Sequence, residues 1–369
     1  MHAVPALPPP TVEQPAPYQV SFGLVTGVAA RGTRRVVVVS AGRTLAARKL
    51  RGRRFTLRVS LPLGDQSVRV TTIAGGRRSS RVVPNVYGLP QAARPRVVGG
   101  RQDERLLNRI RPLVRGYRGS AAFYVESLTR GSGAAWNAKA RFPAASTVKL
   151  AIAAAVLARY TGIPPPGSYL GRLLREMIVP SDDAAANGLL VWLAGSTSAG
   201  GHRVNELMRS LGLTETLMYG GYEVVRRLSG RIPVEVDEQP NIGVGKYTTA
   251  ADLAGLHRAI WLAAGNKGRL RSAQPGFSAP DGRHLLWLLA HVRDQPKLDR
   301  VAHRGSVAVL HKAGWISSAR HDAGLVFWQG GVFVVSVMTW RSYGAGVSSD
   351  VLAGRVAALA LAYVRRTEG

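Results

Sequence analysis

In RFPAASTVKL, residues 141–150, a serine stands three positions ahead of a lysine, at the head of an apolar, alanine-rich run. A serine hydroxyl is a weak nucleophile and needs a base within reach. Lys149 can serve Ser146 in that way only if its ammonium gives up its proton, which burial or a neighbouring positive charge promotes. The following AIAAAVLARY contains neither glycine nor proline. A helix is therefore expected from about Ala145 or Ser146, with Ser146 and Lys149 on one face. A serine at a helix start also presents an N–H that the helix leaves unpaired, suited to a developing oxyanion.

Serine, two residues and lysine recur by chance, so the context matters. MIVPSDDAAANGLL places Ser181 and Asp183 ahead of an alanine-rich helix, and AVLHKAGWISSARHDAGLV places Lys312, Ala313 and Gly314 on a strand leading into the next one. The order S-x-x-K, then S-D-N, then K-T-G is the signature of the penicillin-recognising serine hydrolases. From about Asp103 to its end the chain resembles their class A β-lactamase branch. GSGAAWNAKARFPAASTVKL looks like the strand entering the nucleophile helix, and SDDAAANGLL keeps a trailing asparagine, Asn187.

The resemblance implies that Ser146 is acylated and that Lys149 takes its proton. Ser181 would relay a proton to the leaving nitrogen, with Lys312 holding positive charge beside it and near a substrate carboxylate. Ala313 and Gly314 would border the substrate, and the N–H groups of Ser146 and Trp315 would form the oxyanion hole, where one donor is worth about 3 kcal/mol of barrier. The substrate implied is a β-lactam or a peptidoglycan-like small molecule, with no metal and no cofactor, in an extracytoplasmic protein.

Three departures bear on activity. Asp183 stands where the family has asparagine; an ionised carboxylate cannot donate to a substrate carbonyl, and beside Lys149 it would favour the charged ammonium. Ala313 replaces a threonine or serine hydroxyl. The third concerns the glutamate that activates the deacylating water in class A enzymes. Within TETLMYGGYEVVRRLSGRIPVEVDEQPNIGVGKYTTAADL the nearest alignment puts Tyr222 at that position. Glu223 is beside it and is the first candidate for the base, with Glu235, Asp237 and Glu238 behind it.

Each motif has a plainer reading. Ser146 and Lys149 could be a helix cap and a surface lysine, and Asp183 could cap the next helix. His311 and His321 flank strand segments without metal-ligand spacing and read as strand histidines. Trp315 and Trp328 read as packing residues, with Trp315 an alternative wall of the cleft.

The elements needed to hold these residues are legible. Residues 1–16 form a Pro-rich tail expected to be extended and mobile. In 17–90, RRVVVVS, RRFTLRVSLPL and QSVRVTTIA are short β-branched runs separated by glycine-rich turns, expected to form a small all-β, Ig-like sandwich. Residues 91–104 read as a linker. Residues 105–369 read as α+β: a helix interrupted by Pro112, a hairpin around TRGSG, a helical insert, three strands and a closing helix. An antiparallel five-stranded sheet built from the terminal segments is expected.

Composition narrows the remaining choices. The 369 residues contain no cysteine, which removes disulfides, thiolate catalysis and cysteine-ligated metal. The start lacks a charged segment followed by a long apolar run, so it does not read as a secretion signal. No stretch is expected to reach the roughly 18 apolar residues of a membrane span. The net charge of +29 attracts polyanions. The arginines are scattered, without helix-turn-helix or zinc-finger cues, so no specific nucleic acid is expected and an anionic cell-wall polymer is the alternative partner. A monomer is expected. Against the hydrolase stand a weak or inactive wall-binding protein and a D-alanyl-D-alanine peptidase on the same fold.

Overall fold

Alternation along RVVVVS decides how the N-terminal strands pack: Val36 and Val38 are buried, while Arg35 is exposed and Val37 half-buried between them, the period of two that turns one sheet face inward. The structure is a computed structural model describing residues 6–222, 245–302 and 305–368. It forms two units, Met1–Arg94 and Pro95–Gly369. The first contains β1 (Thr11–Gln14), β2 (Gln19–Ser21), β3 (Leu24–Val28), β4 (Arg35–Ser40), β5 (Arg43–Lys49), β6 (Arg54–Arg58), β7 (Gly64–Ala74) and β8 (Arg77–Gly88). They make two sheets, β1-β3-β6 and β2-β8-β7-β4-β5. Val25, Val36, Val38, Phe55, Leu57, Val68 and Val70 share their core. Within the expected mobile tail, Thr11–Gln14 is instead a strand, because its backbone pairs with β3.

The second unit runs β9 (Arg101–Gln102), α1 (Glu104–Arg115), β10 (Ser120–Ser127), β11 (Ser132–Trp136), β12 (Phe142–Pro143), α2 (Lys149–Arg159), α3 (Tyr169–Ile178), α4 (Asp183–Ala194) and α5 (Thr197–Ser210). It continues through β13 (Tyr247–Thr248), α6 (Ala250–Ala264), α7 (Arg269–Ala273), α8 (Ala279–Leu289), β14 (Val307–Ile316), β15 (Ala319–Trp328), β16 (Gly331–Trp340) and α9 (Val347–Glu368). Its sheet has the order β14-β15-β16-β10-β11-β9. Five strands are antiparallel as expected, and the two-residue β9 adds parallel to β11.

Helices cover both sheet faces, so the strands read as almost continuous apolar runs rather than alternating ones. On one face Phe123, Val125, Val335 and Val337 pack with Leu106, Ile110 and Val114 of α1 and with Val356 and Val364 of α9. On the other, Ala122, Ala323 and Met338 meet Phe142 and Leu253. The α1 helix passes through Pro112 without interruption, since Leu106, Leu107, Ile110 and Val114 all face the core and their burial outweighs one lost backbone bond. The apolar-run expectation also changes: α9 is long and apolar enough to cross a membrane by length and composition alone. Its apolar stripe includes Leu352, Val356, Ala360 and Val364, which are buried in the core over the sheet.

Candidate active site

The Ser146 segment is fastened before its helix begins. Phe142 and Pro143 pair with Thr248 and Tyr247, and Ala144 N donates to Lys246 O (2.9 Å). The chain then turns through Ala145 at φ 47°, a left-handed conformation that costs a non-glycine residue on the order of 1–2 kcal/mol. Thr147 N donates to Ala144 O (3.1 Å) and Lys149 N to Ser146 O (3.2 Å). The α2 helix starts at Lys149, not at Ala145 or Ser146, because these tight i to i+3 bonds occupy the first turn. Such a turn brings residues three apart into line, so Ser146 and Lys149 keep a common side.

Gly314 presses the free edge of β14 onto that turn. A Cβ there would lie 2.7 Å from the backbone nitrogens of both Ser146 and Thr147, so only glycine allows the approach. Ala313 and Lys312 beside it are fully buried. Trp315 is 58% exposed, which corrects the packing reading; Arg320 lies over its ring at 5.9 Å. Trp328 is buried and packs against Phe333.

Ser181 holds the second left-handed position, φ 66°, ahead of α4. Asp182 caps that helix, its side chain accepting from Ala185 N (2.6 Å). The capping role considered for Asp183 therefore belongs to its neighbour, and Asp183 Oδ1 instead lies 2.5 Å from Lys149 Nζ. Lys149 Nζ also donates to Ser181 O (2.5 Å) and Ser181 Oγ (3.4 Å), while Lys312 Nζ donates to Ser181 Oγ (2.9 Å). Ser181 Oγ thus sits between two ammonium groups. Among the described residues, none of the Lys149 ammonium bonds reaches Ser146.

Electrostatics at these lysines is a contest. Burial lowers the Lys149 pKa and Asp183 opposes it, with a net fall. Burial, then the charge of Lys149, pulls Lys312 down to about 7. Tyr222 is buried, and burial followed by the Asp183 charge holds its phenol well above the usual range, so it donates rather than accepts protons. Its hydroxyl donates to Ala145 O (3.3 Å). Asn187 clamps its backbone: Tyr222 N donates to Asn187 Oδ1 (2.7 Å) and Asn187 Nδ2 to Tyr222 O (3.2 Å).

The structure thus gathers Ser146, Lys149, Ser181, Asp183, Lys312, Ala313, Gly314 and Trp315 around the edge of β14 and the start of α2. Glu223, Glu235, Asp237 and Glu238 lie outside the described residues. His311 Nδ1 donates to Asp322 (2.8 Å), while His321 Nε2 donates to Pro143 O (2.8 Å) and its Nδ1 accepts from Thr339 N (3.2 Å). Among the described residues no cluster of His, Asp and Glu could hold a metal. Sequence reasoning passed over Lys246, whose Nζ lies 4.7 Å from the Tyr222 ring centroid. A signal existed: only seven of the 50 basic residues are lysine, and Lys149, Lys246 and Lys312 all stand here.

A family model described as the beta-lactamase enzyme family matches residues 105–162 and 161–364. Among solved structures, PBP-A is similar at 19% identity and TM-score 0.57, over 73% of this chain and 100% of that one. A beta-lactamase from Streptosporangium roseum is similar at 21% identity and TM-score 0.55, over 71% and 99%. An ancestral (GNCA) class A beta-lactamase follows at 21% and 0.56, over 70% and 99%. At such identities the likeness is one of fold. No curated protein matches the chain.

Proposed function

Because the chain belongs to the beta-lactamase enzyme family, we propose that it is a class A-type serine hydrolase, acylated on Ser146 by a β-lactam or a related peptide-like amide. The observation that carries this reading is the Ser181 hydroxyl held by the ammonium groups of Lys149 (3.4 Å) and Lys312 (2.9 Å), beside the turn that bears Ser146. Ser146 Oγ attacks the carbonyl carbon as its proton passes to neutral Lys149. The oxyanion is met by the N–H groups of Ser146 and Trp315. The C–N bond then breaks, and the leaving nitrogen takes a proton through Ser181, replenished from the lysines. Water hydrolyses the ester, with Glu223 the first candidate to activate it. An extracytoplasmic location and a single-chain state belong to the same proposal.

Exposure to a reporter penicillin, followed by intact-mass measurement over time, tests it. A Ser146 adduct that appears and decays supports turnover, and one that persists supports a penicillin-binding trap or a slow peptidase. No adduct, with Ser146→Ala indistinguishable from the parent, sinks the proposal.

A second reading rests on Asp183 at 2.5 Å from Lys149, which favours a charged lysine and slow acylation. In it the protein is a weak or inactive wall-binding protein, its arginines holding an anionic polymer. Residues 1–94 carry 15 Lys or Arg against two Asp or Glu. Co-sedimentation with cell walls that survives Ser146→Ala and falls steeply with salt supports it; no binding at low salt removes it.

A further inference from the structure

Lys246 reaches the candidate site from two directions. Its carbonyl accepts from Ala144 N (2.9 Å), one residue before the left-handed Ala145. Its ammonium donates to Gly221 O (2.6 Å) and stands 4.7 Å from the Tyr222 ring centroid. The Lys149 ammonium stands 4.5 Å from that same centroid. Tyr222 closes the circuit, its hydroxyl donating to Ala145 O (3.3 Å). The two amines therefore share one ring next to the nucleophile turn, in a chain whose default basic residue is arginine.

We propose that Lys246 is a positioning residue for acyl transfer, its ammonium set against the same Tyr222 ring as that of Lys149 so that, together with burial, it offsets Asp183 and leaves Lys149 free to accept the Ser146 proton. The inference rests on the hydrolase reading above. A positive charge near an amine disfavours its protonated form, and a carboxylate favours it. Around Lys149 the charged and titratable groups are Asp183 and Asp182 at the start of α4, Lys312 on β14, Tyr222 and Lys246. Asp183 pulls Lys149 toward its charged form, against the burial that lowers it. A second ammonium pulls the other way, and at Lys246 itself burial depresses the amine first, Asp183 raises it, and Lys149 depresses it to a smaller degree.

The experiment titrates Lys149 in the full chain by NMR with carbon-13-labelled lysine, in the parent, Lys246→Met, Lys246→Arg and Asp183→Asn, alongside the acylation rate with a reporter penicillin from pH 6 to 10. The expected result is a higher Lys149 midpoint in Lys246→Met and a lower one in Asp183→Asn. Each unit of rise removes about tenfold of the neutral amine at pH 7. Acylation by Lys246→Met should fall accordingly at pH 7 and converge on the parent's rate at alkaline pH, and Lys246→Arg should restore it at pH 7. A purely structural role would lower the rate evenly across pH. An unmoved Lys149 midpoint in a Lys246→Met protein that melts like the parent overturns the inference. A midpoint that moves in a parent forming no Ser146 adduct overturns the hydrolase reading instead.

Discussion

Lys149 Nζ lies 2.5 Å from Asp183 Oδ1, and the lysine is fully buried while the aspartate side chain is 42% exposed. The carboxylate is open to solvent on one side and holds the amine on the other. It therefore works against the burial that lowers Lys149. The asparagine of the S-D-N signature would exert no such charge at this position.

Asp183→Asn is accordingly expected to acylate faster at neutral pH, by roughly tenfold for each unit by which Lys149 falls. Stopped-flow mixing with a chromogenic β-lactam measures the rate. A rate equal to or below the parent's would show that the pair does not limit acylation.

Lys312, at about 7, should impose the alkaline limb of the acylation profile. Its charge is present below about pH 7 and lost above, so capture of a carboxylate-bearing substrate weakens as pH rises. Lys149 works in the opposite sense, gaining basic form with pH, and the product is bell-shaped. Arginine stays charged throughout. In Lys312→Arg the falling limb should vanish, and its persistence would assign it to another group.

Gly314→Ala should fold with near-parental melting yet acylate about 100-fold more slowly. The new methyl would lie 2.7 Å from the nitrogens of Ser146 and Thr147, and a shift of the nucleophile turn by less than 1 Å is costly to a reaction that depends on alignment. Circular dichroism and single-turnover acylation separate the two effects. Parental acylation would mean that the turn yields at no cost.

His257 is fully buried and held down to about 4 by that burial. The unfolded chain binds a proton below about 6.5 and the folded chain only near 4. The stability it carries is therefore complete above 6.5 and lost as pH falls toward 4. The span corresponds to about 3 kcal/mol. Urea titrations of parent and His257→Leu should diverge by that order in favour of the variant between pH 7 and 4. A constant difference would show that His257 does not titrate between the two states.

Three short motifs in order were enough to read the fold of the second unit, because together they match the signature of a known family. Period-two runs and alanine-rich segments revealed most strands and helices, as local pattern is set by neighbours along the chain. Interruption at Pro112 and a helix start at Ser146 were local expectations that packing and tight backbone bonds overruled. Two further matters were settled only by the fold: which of two adjacent aspartates caps α4 and which meets Lys149, and that Lys246, just before β13, reaches Gly221 and Tyr222. Residue identities by themselves determined that Ser146 has a lysine within one turn, while only the family resemblance implied that Ser181 and Lys312 accompany it. Only tertiary structure decided what that lysine is bonded to, because the charge on an amine depends on burial and on neighbours that folding alone brings together.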